Sequence, residues 1–184
     1  MALTPTRQIP LGFIAPEFDL INPKENKKQK LSDLKGDKGT LIVFMCNHCP
    51  YVIHILPELV NLANDYIKKG ISFIGINSND IISHPQDSPE NMIKLIHEYK
   101  IPFPYLFDES QEIAKAYSAE CTPDFSTFNK DLKCVYRGQM DNSRPGNKKE
   151  VNGNDMRIVL KQLINNQPIS SNQTPSIGCN IKWK

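Results

Sequence analysis

An α/β protein with a central sheet and helices on its faces is what the sequence predicts, and three observations carry that prediction. Two short runs, 40–45 and 71–77, are apolar and rich in β-branched and aromatic residues without strict alternation, as in strands covered on both faces. Each is followed by a stretch with apolar residues at helical spacing, 50–69 and 88–99. Two further runs, 124–128 and 133–137, flank the turn residues Asn129, Lys130 and Asp131 and read as a hairpin.

Taken in order, residues 1–39 form an N-terminal arm packing on the core: 12–20 supplies a short strand, 24–30 is a solvated polar run, and 31–34 makes one helical turn closed by Gly36. The main domain spans 40–167. Its first helix carries Val52, Ile55, Leu56, Leu59, Leu62 and Ala63 on one side, with Pro57 a kink. The second starts at Ser88-Pro89-Glu90, which offers a capping hydroxyl, a proline at the first helical position and an acid in the first turn. A small β-α insert follows at 105–107 and 110–117, then the hairpin and a last helix at 154–165. Residues 168–184 are a tail rich in Pro, Ser and Asn, and the whole is one structural domain. Right-handed crossovers make the first two core strands parallel neighbours.

Composition narrows the function classes. The 184 residues hold 22 Lys and Arg against 20 Asp and Glu, net +2, without the clustered Arg and interleaved aromatics of a nucleic-acid surface. The longest apolar run, 41–46, is far short of a membrane span of ~20 residues. Pro5, Pro10 and Pro16 interrupt anything like a signal peptide, so a cytoplasmic location is expected. There the five cysteines are expected to be mostly reduced, and any disulfide to be a working one.

The chemistry centres on Cys46-Asn47-His48-Cys49-Pro50, two thiols three apart where a buried strand feeds a helix. Cys46 is the expected nucleophile, exposed at the helix end with its thiolate favoured by the dipole and tuned by Asn47 and a cationic His48; Cys49 is the resolving thiol. No metal or other cofactor is expected. Zinc needs four ligands, and Cys121, Cys134, Cys179, His54, His84 and His97 show no ligand spacing.

Cys46-Asn-His-Cys49 after the strand and Thr122-Pro123 before the hairpin resemble the thioredoxin superfamily. The chain from about Gly12 is similar to its alkyl hydroperoxide reductase and thiol-specific antioxidant branch. Within that branch it resembles an uncharacterised peroxiredoxin-like group with a CxxC, through residues 44–52, Tyr136-Arg137-Gly138 leading to Asp141, and the closing 178–183. The resemblance implies a thioredoxin-like fold, with a central mixed sheet flanked by helices. It also implies a cis Thr122–Pro123 bond against the thiols, with Thr122 offering its backbone to an extended substrate. The family's peroxidatic cysteine matches Cys49, but Cys46 stands where peroxiredoxins carry Thr. Arg137 is a candidate partner arginine or else a solvated hairpin residue.

Cys121 and Cys179 are additional thiols. Cys121 reads as a buried strand-edge residue beside the site, the simpler reading, or as a third redox thiol, and Cys134 as core. Cys179 lies on a tail that either docks through Ile181 and Trp183 as structure, the simpler reading, or returns to the pair as a resolving thiol. The expected function is thiol-disulfide exchange. Reduction of peroxides through a sulfenic acid is the alternative, and a non-catalytic redox sensor or binding module the second. The partners are a protein or small-molecule disulfide or peroxide and a thioredoxin- or glutathione-type reductant.

Overall fold

Apolar strands that must be covered on both faces end up in the middle of the sheet. In the computed structural model, which describes residues 3–184, the central strands are β4 (Gly39–Phe44) and β5 (Ile71–Asn77), parallel and in register from Gly39↔Ile71 to Phe44↔Ile76. Counting from the N-terminus, β1 (Leu3–Pro5), β2 (Asp19–Asn22) and β3 (Lys27–Lys30) precede them. They are followed by β6 (Tyr105–Phe107), β7 (Cys121–Thr122), β8 (Asp124–Asn129), β9 (Cys134–Tyr136) and β10 (Ile177–Asn180). The main sheet is mixed, with seven strands in the order β3-β2-β6-β5-β4-β8-β9, and a second sheet has the order β1-β10-β7.

All six residues of β4 are buried, and their alternation divides the core in two. Leu41 and Val43 pack on one face with Val52, Leu56 and Leu59 of α2 (Pro50–Tyr66), Met92 of α3 (Pro89–Tyr99) and Leu160 of α5 (Asn154–Ile164). Ile42 and Phe44 face Ile74, Ile76, Leu106 and Phe128, closed by Leu31 of α1 (Leu31–Leu34) and by Ala114 of α4 (Glu112–Ala116). Truncating a fully buried Leu56 to Ala in such a core costs about 2–5 kcal/mol. The expected start of α3 is as drawn from the sequence: Ser88 Oγ accepts from Asn91 N at 3.4 Å.

The arm and the tail depart from expectation. The polar run 24–30 contributes β3, paired with β2 from Asp19↔Lys30 to Asn22↔Lys27; an edge strand needs backbone partners rather than apolar side chains, and exposed lysines guard it. No strand runs through 12–20. Gly12 turns the chain at φ 89°, Ile14 makes a single bridge to Lys133, and the strand begins only at Asp19. The N-terminal segment is thus woven into the main sheet, where Ile21 of β2 pairs with Phe107. The tail supplies β10, clasped between β1 and β7. Among the described residues no helix is long and apolar enough to cross a membrane.

Candidate active site

The chain leaves β4 at Phe44 and enters α2 at Pro50, so 46–49 is a turn that closes before the helix starts. Cys49 is the capping residue, and its carbonyl accepts from Val52 N and Ile53 N, each at 3.0 Å. Cys46 is therefore not on the first helical turn. The backbone N–H groups of Asn47 and His48 are turned toward the carboxylate of Asp87, at 2.8 and 3.3 Å from Oδ1.

In this geometry the thiolate is favoured at Cys49 rather than at Cys46, the expected nucleophile. Cys49, at the positive end of the helix, is held down to about 5 by the hydrogen bond from the Cys46 thiol, helped by Cys179, Thr122 and Val52 N–H against burial. Cys46 is raised well above the usual thiol range, first by that shared hydrogen bond, then by burial and by the nearby Asp87 charge. Thr122 Oγ1, 3.4 Å from Cys46 Sγ, works the other way. Nor is Cys46 exposed: the two residues are 1% and 0% accessible. The structure holds all five cysteines as thiols.

His48 and Asn47 make their hydrogen bonds to the groups that hold the turn. His48 Nδ1 meets Asp87 Oδ2 at 2.7 Å, and its ring stacks on His84 with centroids 5.4 Å apart. The expected stabilising cation thus comes with a buried carboxylate, whose charge disfavours a Cys46 thiolate. Asn47 accepts from Tyr105 OH at 3.0 Å and donates to the Gln86 carbonyl at 3.0 Å.

Sequence reasoning missed Asp87, which is 0% exposed and saturated: Asn79 Nδ2 donates to Oδ2 at 2.7 Å, and Asn77 Nδ2 donates to its carbonyl at 2.7 Å. The signal was Asn77-Ser78-Asn79-Asp80, a polar run directly after an apolar strand and buried throughout. The ligand atoms of Cys46, His48 and Asp87 lie within 4.8 Å of one another. Among the described residues these three are the ones whose donors group closely enough to approach a metal, a grouping hidden from sequence spacing because Asp87 is distant along the chain. Both Asp87 oxygens are already engaged by the turn and by Asn79.

The Thr122–Pro123 bond is cis and lies at the thiols, with Cys49 Sγ 3.2 Å from the Thr122 carbonyl oxygen. The backbone of Thr122 is not open to an extended substrate, however. Cys179 of β10 pairs opposite Thr122, and Thr122 is 3% exposed. A Cβ on Gly178 would lie 1.9 Å from the Thr122 carbonyl oxygen, so only glycine lets the tail approach this closely. Cys179 Sγ lies 3.0 Å from Cys49 Sγ.

The other sulfurs face elsewhere. Cys121 Sγ approaches Thr6 Oγ1 at 3.9 Å and donates to the Pro123 carbonyl at 3.7 Å, and burial pushes its thiol far up. Cys134 is core, with burial pushing it up to about 12. Arg137 is neither solvated nor at the thiols. It is 1% exposed and donates to the Arg7 carbonyl, Ser126 Oγ and the Ser118 carbonyl at 2.9, 2.6 and 2.8 Å, with the Asp124 carboxylate 3.6 Å away.

A mixed sheet with a CxxC turn entering its first long helix, faced by a cis-proline segment, defines a thioredoxin-fold redox protein. The chain belongs to the AhpC/TSA family, whose model matches residues 11–138. It is similar over 100% of its length, and 97% of the other's, to an uncharacterized conserved protein from Geobacillus kaustophilus at 54% identity and TM-score 0.98. A hypothetical protein from Sinorhizobium meliloti 1021 shares 39% identity over 98% of each chain, with TM-score 0.96. A putative thiol:disulfide interchange protein DsbE from Chlorobium tepidum shares the fold, at 19% identity, TM-score 0.66, and coverage of 85% of this chain and 99% of that one. No curated protein matches the chain.

Proposed function

We propose that the protein is a thiol-disulfide oxidoreductase whose working couple is Cys46 and Cys49. The observation that carries this reading is the placement of Cys49 at the start of α2, hydrogen-bonded by the very thiol needed to close a disulfide with it, an arrangement that favours its thiolate. Cys49 attacks the R-bearing sulfur of a disulfide R-S-S-R′; a new S–S bond forms between Cys49 Sγ and that sulfur as the S–S bond of the substrate breaks, and R′S⁻ leaves and takes a proton from water. Cys46 then attacks the Cys49 sulfur. Its proton passes to the departing RS⁻, and the Cys46–Cys49 bond closes. Two electrons have moved to the substrate, and a thioredoxin- or glutathione-type reductant returns them. The covered Thr122 edge and the buried sulfurs favour a small disulfide over an extended peptide. A reducing, cytoplasmic setting suits the dithiol as resting form.

Peroxide reduction through a Cys49 sulfenic acid is the second reading, favoured by the same low-lying thiolate. Opposing it, Arg137 is committed to Ser126, Ser118, Arg7 and Asp124, so its guanidinium is not free to meet the departing oxygen. The test is turnover of cystamine with glutathione, compared with hydrogen peroxide. Catalytic recycling with cystamine, lost in Cys49→Ser, supports the proposal. Faster recycling with peroxide makes the second reading primary, and a single stoichiometric oxidation makes the protein a sensor.

A further inference from the structure

Three sulfurs, not two, meet at this site. Cys49 is flanked by Cys46 on the turn and by Cys179 on β10, the latter at 3.0 Å, about 1 Å beyond an S–S bond. The position of Cys179 is fixed from all sides. β10 pairs Cys179 with Thr122 on one edge and with Leu3 on the other. Ser176 Oγ donates to the Pro123 carbonyl at 2.8 Å, Lys182 N to Asn79 Oδ1 at 2.9 Å, and Gln111 Nε2 to the Lys182 carbonyl at 2.8 Å. Of the three cysteines outside the CxxC, Cys121 faces Thr6 and Cys134 lies in the far core cluster; Cys179 alone has its sulfur against the pair.

We propose that Cys179 is a third redox thiol, which exchanges with the Cys46–Cys49 disulfide to give a Cys49–Cys179 disulfide that fastens the tail over the site. The proposal rests on the thiol-disulfide reading above. In this step Cys179 attacks the Cys49 sulfur; the Cys49–Cys179 bond forms, the Cys46–Cys49 bond breaks, and the proton of Cys179 goes to the departing Cys46 sulfur. No electrons are gained or lost, so the oxidant is the substrate disulfide already consumed. The step is gated by the state of Cys49. Burial and then the hydrogen bond and charge of Cys49 push the Cys179 thiol up to about 12; once Cys49 is in a disulfide its charge is gone, and that part of the opposition goes with it. The tail strand occupies the Thr122 edge that an extended peptide needs, so the built-in Cys179 stands where a substrate sulfur would stand.

The experiment treats the full chain carrying Cys46→Ser with one equivalent of cystamine, followed by acid quench, intact mass and peptide mapping. The expected result is transient loading of Cys49, then loss of the cysteamine adduct with a Cys49–Cys179 bond. In Cys46→Ser/Cys179→Ser the adduct persists at least roughly tenfold longer. A stable Cys49 adduct in the single variant, equal to that in the double variant, overturns the role of Cys179 while leaving the thiol-disulfide reading intact. No adduct at Cys49 in the double variant overturns the thiol-disulfide reading itself. Cys46→Ala, with circular dichroism on each variant, repeats the comparison where serine disturbs the turn.

Discussion

Asp87 is fully buried, and its carboxylate meets the ring of His48 at 2.7 Å while accepting the backbone N–H groups of Asn47 and His48. The CxxC turn is therefore folded around an anion rather than presented by the helix alone. Asp87→Asn keeps the shape but removes the charge and places a donor where acceptors are needed. It should cost about 1–3 kcal/mol in denaturant unfolding. It should also lower the pH at which Cys46 is alkylated, because the Asp87 charge opposes its thiolate. An unchanged Cys46 profile in a folded Asp87→Asn protein contradicts this account of the turn.

The shared proton gives a pH prediction. Thiolate absorbance should show one thiol titrating near pH 5, absent in Cys49→Ala and shifted upward in Cys46→Ala, which removes the principal donor. The folded value lies below the ordinary thiol value of 9.0, so the charged form is the one the fold favours. Its contribution to stability is full above the unfolded value and fades as pH falls through about 5. Comparing unfolding free energies of the reduced protein and Cys49→Ala from pH 5 to 9 should show the difference growing with pH.

Much of this fold was legible from pattern, and much of the site was not. Buried strands such as β4 announce themselves by apolar runs, and α3 by Ser88-Pro89-Glu90, because those signals are local. The CxxC junction was equally plain. What escaped is carried by backbone pairing between distant segments: β10 is held by Thr122 and Leu3 rather than by any periodicity of its own, and it closes the edge expected to receive substrate. The environment that favours a thiolate at Cys49 over Cys46 also escaped, since it turns on where the helix starts, one residue after Cys49, and on Asp87 from another loop.

Arg137 separates stability from chemistry. Arg137→Met leaves Asp124, 0% exposed and already carrying one unpartnered oxygen, without its counter-charge. Loss of about 3–5 kcal/mol in denaturant unfolding is expected. Cystamine exchange measured under conditions where the variant remains folded should be unchanged, since its guanidinium partners are all away from the thiols. A selective loss of peroxide reaction would instead place Arg137 in a peroxidase mechanism.

Gly178→Ala probes the closed edge. The added methyl would meet the Thr122 carbonyl at 1.9 Å, a backbone atom with little freedom, so the tail must lift. Alkylation of Cys49 and exchange with a peptide disulfide should both accelerate, while small disulfides gain less. Equal rates for glycine and alanine would mean that the tail does not limit access.

The most direct measurement is the fraction of thiols lost by the native chain across a series of glutathione redox buffers, quenched with acid and read by intact mass and peptide mapping. The account predicts a cooperative two-electron transition in which thiols disappear in pairs, joined through Cys49 to Cys46 or Cys179, with no glutathione retained and no transition in Cys49→Ser. A protein that stays reduced across the series, or that only accumulates glutathione on a single cysteine, contradicts it.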